Sequence, residues 1–228
     1  METIAENIAR LRERIYNRAL KAGRKPDEIT LVAVTKTVDT NRIREAREAG
    51  ITAFGENYVQ EAREKIPHLG EGVTWHMIGH LQTNKVKYVV PLFSMIHSVD
   101  NVRLAKEISE RAIERDKMME VLIQLNCAGE NTKGGVLPKE LPQLLEAVSS
   151  FKGITVKGLM TMPPYFSDPE KVRPFFTTLR ELRNKFFPFS DSLSLAHLSM
   201  GMSSDFEVAI DEGATLLRIG TAIFGGRK

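Results

Sequence analysis

The sequence predicts an α/β fold: a (β/α)₈ barrel in one domain, with an extra helix before the first strand. Three observations carry this. Apolar strand patterns alternate with amphipathic helix patterns along the chain, which implies a parallel sheet. Eight such strands are legible, the number that closes a barrel of this type. The length of 228 residues, 42% hydrophobic and 27% charged, suits a single core of that size. No repeat, low-complexity stretch or linker divides the chain, so residues 1–228 read as a single domain. The alternative is an open doubly wound sheet. No Gly-x-Gly-x-x-Gly follows the first strand, which counts against its dinucleotide-binding form.

The elements follow in order. Thr3 and Glu6 have capping-box spacing, and Ile4, Ile8, Leu11, Ile15 and Ala19 recur at helical steps, with Gly23 as the stop. Ile29 to Lys36 reads as the first strand, with Val32, Val34 and Lys36 on one side. Asp39 or Thr40 caps a helix that Gly50 ends. The pattern then repeats. Strands are expected at Ile51–Phe54, Thr74–Ile78, Ser94–Val99, Glu120–Asn126, Ile154–Met160, Leu193–Ser199 and Thr215–Ile219. Helices are expected to about Ile66, over about Gln82 to Val90, after an Asp100 cap, from Pro138, from Asp168-Pro169, and after a Ser204/Glu207 capping box. Few residues follow the eighth strand, so the helix that precedes the first strand is expected to fill that slot.

Bulk properties narrow the function. Lys and Arg number 32 against 29 Asp and Glu, a net +3, with no run of five like charges. Nucleic-acid binding is therefore not expected. One cysteine, Cys127, allows no internal disulfide and fits a reducing compartment. The opening Met-Glu-Thr-Ile-Ala-Glu lacks an apolar signal core, and no stretch approaches the ~18 apolar residues of a membrane span. A cytoplasmic protein without membrane contact is expected.

Barrel active sites lie in the loops after the strands. Lys36 sits there after strand one. Its ammonium either reaches solvent or serves as a nucleophile with a lowered pKa. Asn57 follows strand two. Ser199-Met200-Gly201 follows strand seven, and Gly220-Thr221 follows strand eight, the usual places for a phosphate beside a helix start. Arg218 lies inside the apolar Leu216–Gly220 strand. It cannot lose its charge, so it needs an acceptor: a buried carboxylate, or a ligand atom such as a ring nitrogen. Other signals are weaker. His76 and His80 flank a strand about 13 Å apart, so no metal site is expected. Cys127 lacks a nearby base and reads as structural. Gly129 to Gly135 lacks the Gly-Lys-Ser/Thr of a P-loop and reads as a surface loop, from which Lys133 could face the mouth. Met160 and Met162 read as rim packing.

Ala33-Val34-Thr35-Lys36, Phe54-Gly55-Glu56-Asn57, Trp75-His76-Met77-Ile78-Gly79-His80, Leu198-Ser199-Met200-Gly201 and Leu217-Arg218-Ile219-Gly220-Thr221 together span nearly the whole chain. In this order they resemble the single-domain pyridoxal 5′-phosphate homeostasis proteins, relatives of the alanine racemase barrel domain. The resemblance implies that the cofactor is pyridoxal 5′-phosphate, held as a Schiff base on Lys36. It implies a phosphate held by Ser199, Met200 through its backbone, Gly220 and Thr221, a ring nitrogen facing Arg218, and Asn57 near the ring. It implies no catalytic residues.

A racemase is the rival reading. The resemblance implies that alanine racemase adds a second domain carrying a further acid–base group. The sequence ends soon after strand eight, so a non-catalytic carrier is expected. Its partners would be the cofactor and, for delivery, pyridoxal-phosphate-dependent apo-enzymes. The chain is expected to be a monomer.

Overall fold

The computed structural model describes residues 2–130, 134–186 and 193–226. Its elements run α1 (Ile4–Lys21), β1 (Thr30–Val34), α2 (Thr40–Glu48), β2 (Ala53–Glu56), α3 (Val59–Lys65), β3 (Thr74–Met77), α4 (Val86–Val89), β4 (Met95–Val99), α5 (Val102–Ile113), β5 (Met119–Leu125), α6 (Leu141–Ser149), β6 (Ile154–Thr161), α7 (Arg173–Phe186), β7 (Leu193–Ser199), α8 (Phe206–Asp211), β8 (Leu216–Ile219) and α9 (Thr221–Phe224). The strands form one closed parallel barrel in sequence order, with β8 paired back onto β1.

Two apolar layers build it. Val32, Ala53, Met95, Leu122, Met160 and Leu216 meet inside the barrel. A larger shell lies between strands and helices, where each helix buries the stripe its spacing foretells. Strand side chains alternate, so the next inward residue toward the C-terminal end is His97 after Met95, and Arg218 after Leu216. The barrel therefore changes from apolar to polar along its axis.

α1 fills the slot beside the short α9. It packs against α8, α9 and α2 and buries Ile4, Ile8, Leu11, Ile15 and Ala19. Its Thr3/Glu6 capping box forms as expected. Arg14 lies over the Phe206 ring at 4.7 Å, and Arg18 Nε donates to Asp211 at 2.6 Å, which ties α1 to α8.

Several boundaries differ from expectation. β1 stops at Val34, and Lys36 lies in a turn beyond it. The α5 cap is Asn101, whose side chain accepts from Leu104 N–H, not Asp100. Ser204 caps nothing. Asp205 takes the N-cap position of α8 and accepts from Met202 N–H at 2.6 Å. Pro138 opens a 3₁₀ turn, with α6 starting at Leu141. Met160 belongs to the barrel interior rather than the rim, while Met162 is exposed. Residues 131–133, Lys133 among them, lie outside the described residues. No helix among the described residues is long and apolar enough to cross a membrane.

Candidate functional site

Lys36 leaves the barrel half-buried, just past β1. β1 is paired with β8, with Val32 opposite Arg218. The turn of Lys36 and the Gly220-Thr221 loop therefore emerge side by side. They are close: a Cβ on Gly220 would lie 3.4 Å from Val34 Cβ. Thr35, before Lys36, is fully buried and donates its hydroxyl to Glu56 Oε1 at 2.7 Å. Thr37, after it, has φ 62°.

Asn57 follows β2 on the other side of Lys36. Its backbone N–H meets Glu56 Oε2 at 3.3 Å. Its side-chain Oδ1 is buried and has no hydrogen-bond partner. Such an atom is costly to leave unpaired in a finished fold. Gly79 makes this placement possible, because a Cβ there would sit 2.3 Å from the Asn57 carbonyl oxygen.

Inside the barrel runs a polar chain. His76 Nδ1 lies 3.0 Å from His97 Nε2, and His97 Nδ1 lies 2.9 Å from Ser199 Oγ. Arg218 donates to Ser199 Oγ at 2.5 Å and to the Thr161 carbonyl at 2.9 Å. Burial lowers the His76 pKa to about 4 and holds His97 well below the usual histidine range, so both are neutral near pH 7. Burial also lowers Arg218, to about 10, against the pull of Asp205, and it stays cationic. Burial raises Asp205, while the Met202 amide and Arg218 oppose the rise. Arg218 thus meets a hydroxyl and a carbonyl, with a carboxylate near but not bonded to it.

The loops after β7 and β8 are joined, since Ala222 N–H donates to Ser203 Oγ at 3.1 Å. Ser199 and Met200 both make bonds within the barrel. The Ser199 hydroxyl is fully buried between Arg218 and His97. The Met200 amide donates to the Leu216 carbonyl at 3.2 Å. Gly220 and Thr221 stand at the rim, at the start of α9, whose first N–H groups have no partner within the helix.

The structure brings Lys36, Asn57, Arg218, Gly220 and Thr221 to one end of the barrel, with Ser199 beneath. Sequence reasoning missed Glu56, Lys65 and His97 as parts of the site. Glu56 carried a signal, as the one polar side chain in β2, and His97 a weaker one, beside Ser98 in the otherwise apolar β4. Lys65, at the end of an ordinary amphipathic helix, carried none. His76 pairs with His97, not with His80. Burial raises the Cys127 thiol pKa.

Residues 1–228 match the alanine racemase N-terminal domain family. The pyridoxal phosphate homeostasis protein of Aquifex aeolicus is 47% identical over 98% of this chain and 98% of its own. The chain belongs to the pyridoxal phosphate homeostasis protein family. The Pseudomonas aeruginosa member is 42% identical, over 100% of this chain and 97% of its own. PipY of Synechococcus elongatus, solved with PLP bound, superposes with a TM-score of 0.86 at 35% identity, covering 98% of this chain and 100% of that one. An alanine racemase from Corynebacterium glutamicum shares the fold alone, with a TM-score of 0.66 at 18% identity, and this chain covers 60% of it.

Proposed function

We propose that this chain binds pyridoxal 5′-phosphate (PLP) covalently through Lys36 and serves in PLP homeostasis. The observation that carries this is the register of β1 on β8. That register supports the reading by bringing the turn that carries Lys36 next to the strand of Arg218 and the Gly220-Thr221 loop that follows it. The residues present fit the group. The orphaned Asn57 Oδ1 offers an unused acceptor, and the rim offers amides and a hydroxyl for an anion. Bound PLP supplies an aldehyde that condenses with the Lys36 amine with loss of one water, and a ring that can draw electrons.

The chain's own residues do the rest. Gly220 and Thr221 hold the phosphate, with the Ser199-Met200 backbone beneath. Arg218 faces the ring nitrogen as a fixed cation, which disfavours protonation there and weakens the electron sink. Ser199 and the Thr161 carbonyl keep that guanidinium aimed. Asn57 orients the ring. This arrangement holds PLP more than it uses it, in line with relatives named for homeostasis that match this chain end to end. Delivery to PLP-dependent apo-enzymes, as a cytoplasmic monomer, completes the reading.

The test is borohydride fixation of the PLP-loaded protein, followed by peptide mapping. The adduct should fall on Lys36 and vanish in Lys36→Ala. An unchanged absorption spectrum in Lys36→Ala would overturn the assignment, and brisk alanine racemisation by the loaded protein would move it to the racemase class.

A further inference from the structure

Lys65 and Glu61 sit one helical turn apart on α3, and neither is among the residues assigned to the cofactor. Lys65 Nζ donates to Glu61 Oε2 at 2.6 Å, to Glu56 Oε1 at 3.0 Å and to the Thr35 carbonyl at 2.8 Å. Its three donors are all used. Glu61 Oε2 also accepts from the Thr37 amide at 2.8 Å.

These contacts share one geometric property. The Thr35 carbonyl belongs to the peptide plane that precedes the Lys36 Cα. The Thr37 amide belongs to the plane that follows it. The angles between those planes and the Cα are φ and ψ of Lys36. One ion pair therefore tethers both planes, and with them the direction in which the Lys36 side chain starts. We propose that Lys65 and Glu61 are positioning residues that fix the Lys36 backbone so that its amine presents to the PLP aldehyde.

Two further observations support this. Thr37, a β-branched residue, has φ 62°, a conformation that persists only where the surroundings hold it. Its amide is the group that Glu61 holds. Glu56 then extends the clamp to the second cofactor residue. One of its oxygens takes Lys65 and the Thr35 hydroxyl, and the other takes the Asn57 amide. Glu56 is fully buried, and its carboxyl is raised by desolvation against the pull of Thr35 and Lys65. A packed ion pair alone would have no reason to seek the amide and carbonyl on either side of one lysine.

The inference rests on the reading of Lys36 as the PLP amine, and its test separates the two. Covalent fixation of PLP at Lys36 is compared with equilibrium binding of pyridoxine 5′-phosphate, whose alcohol cannot condense. In Lys65→Met and in Glu61→Leu, a helix-surface change, fixation should slow about tenfold or more, the scale of a misaligned reacting group. Binding of pyridoxine 5′-phosphate should stay within about threefold of wild type, because the phosphate and ring contacts lie elsewhere. Glu61→Gln keeps an acceptor oxygen for Thr37 and should restore most of the rate. Wild-type fixation in both variants would overturn the proposal. So would equal losses for the two ligands, which would mark the pair as packing. A wild-type protein that is not fixed at Lys36 would instead overturn the reading beneath it.

Discussion

Ser199 shows how one side chain sets the protonation of its neighbours. A guanidinium only donates, so Ser199 Oγ accepts from Arg218. The hydroxyl hydrogen is then directed at His97 Nδ1, which places the His97 proton on Nε2. That proton faces His76 Nδ1, and His76 carries its own on Nε2. His97 is used once as donor and once as acceptor, and His76 accepts through Nδ1, which requires both to be neutral. Burial enforces this, lowering His76 to about 4. A stability consequence follows. An unfolded histidine takes a proton near pH 6.5, but folded His76 takes one only near pH 4. Between those values the unfolded chain binds more protons, so folding loses stability as pH falls through this window. The loss assigned to His76 is about 3 kcal/mol by pH 4, and His97 adds to the same slope. Urea unfolding at pH 7 and pH 4 should show it. His76→Gln, which cannot titrate, should lose less stability between the two pH values than wild type, and equal losses would refute the assignment.

At the scale of elements, the site depends on how closely loops approach. Gly79, after β3, touches the backbone of Asn57, after β2. Gly79→Ala would drive its Cβ to 2.3 Å from the Asn57 carbonyl, far inside contact, and backbone must move. We expect this variant to fold but to bind PLP at least about tenfold more weakly, as a displaced binding group does; a PLP titration by absorbance checks it. Unchanged affinity would show that Asn57 is not part of the site. The order and type of elements were legible in the sequence because periods of two and 3.6 survive without knowledge of partners. Their ends were less so. Asp100, Asn101, Ser204 and Asp205 are all good N-caps, and nothing local separates adjacent candidates. The alternation of Val32, Val34 and Lys36 onto one side extends the expected strand to Lys36, beyond the end of β1 at Val34. The chain turns there because Thr35 bonds to Glu56 and Thr37 adopts a left-handed conformation. The candidate site was legible where fold class places residues, as with Lys36 at a strand end and Gly220-Thr221 after β8. The His97–Ser199 pair and the Lys65 clamp were not, since they depend on side chains brought together from distant positions or across neighbouring strands.

At the scale of the whole molecule, β8 must meet β1 for the proposed site to exist, because Arg218 lies on β8 and Lys36 in the turn just past β1. α1 covers that junction. Its apolar face packs on α8, α9 and α2, which follow β7, β8 and β1 in the chain. Polar ties flank the seam. Asn7 donates to the Ile223 carbonyl at 3.0 Å, and Arg173 of α7 bonds to both Asp211 and Glu212 at the end of α8. Ile8 is the test position, 1% exposed in the middle of the α1 stripe. Ile8→Ala deletes buried methyl and methylene groups where the surrounding elements can only partly collapse, so it should cost about 2–5 kcal/mol. If α1 closes the barrel as one cooperative unit, urea unfolding of the variant should shift its midpoint with the slope unchanged, because the surface exposed on unfolding is the same. A reduced slope, or loss of far-UV helical signal ahead of the tryptophan signal of Trp75, would mean that α1 detaches by itself and that the β8–β1 seam stands without it.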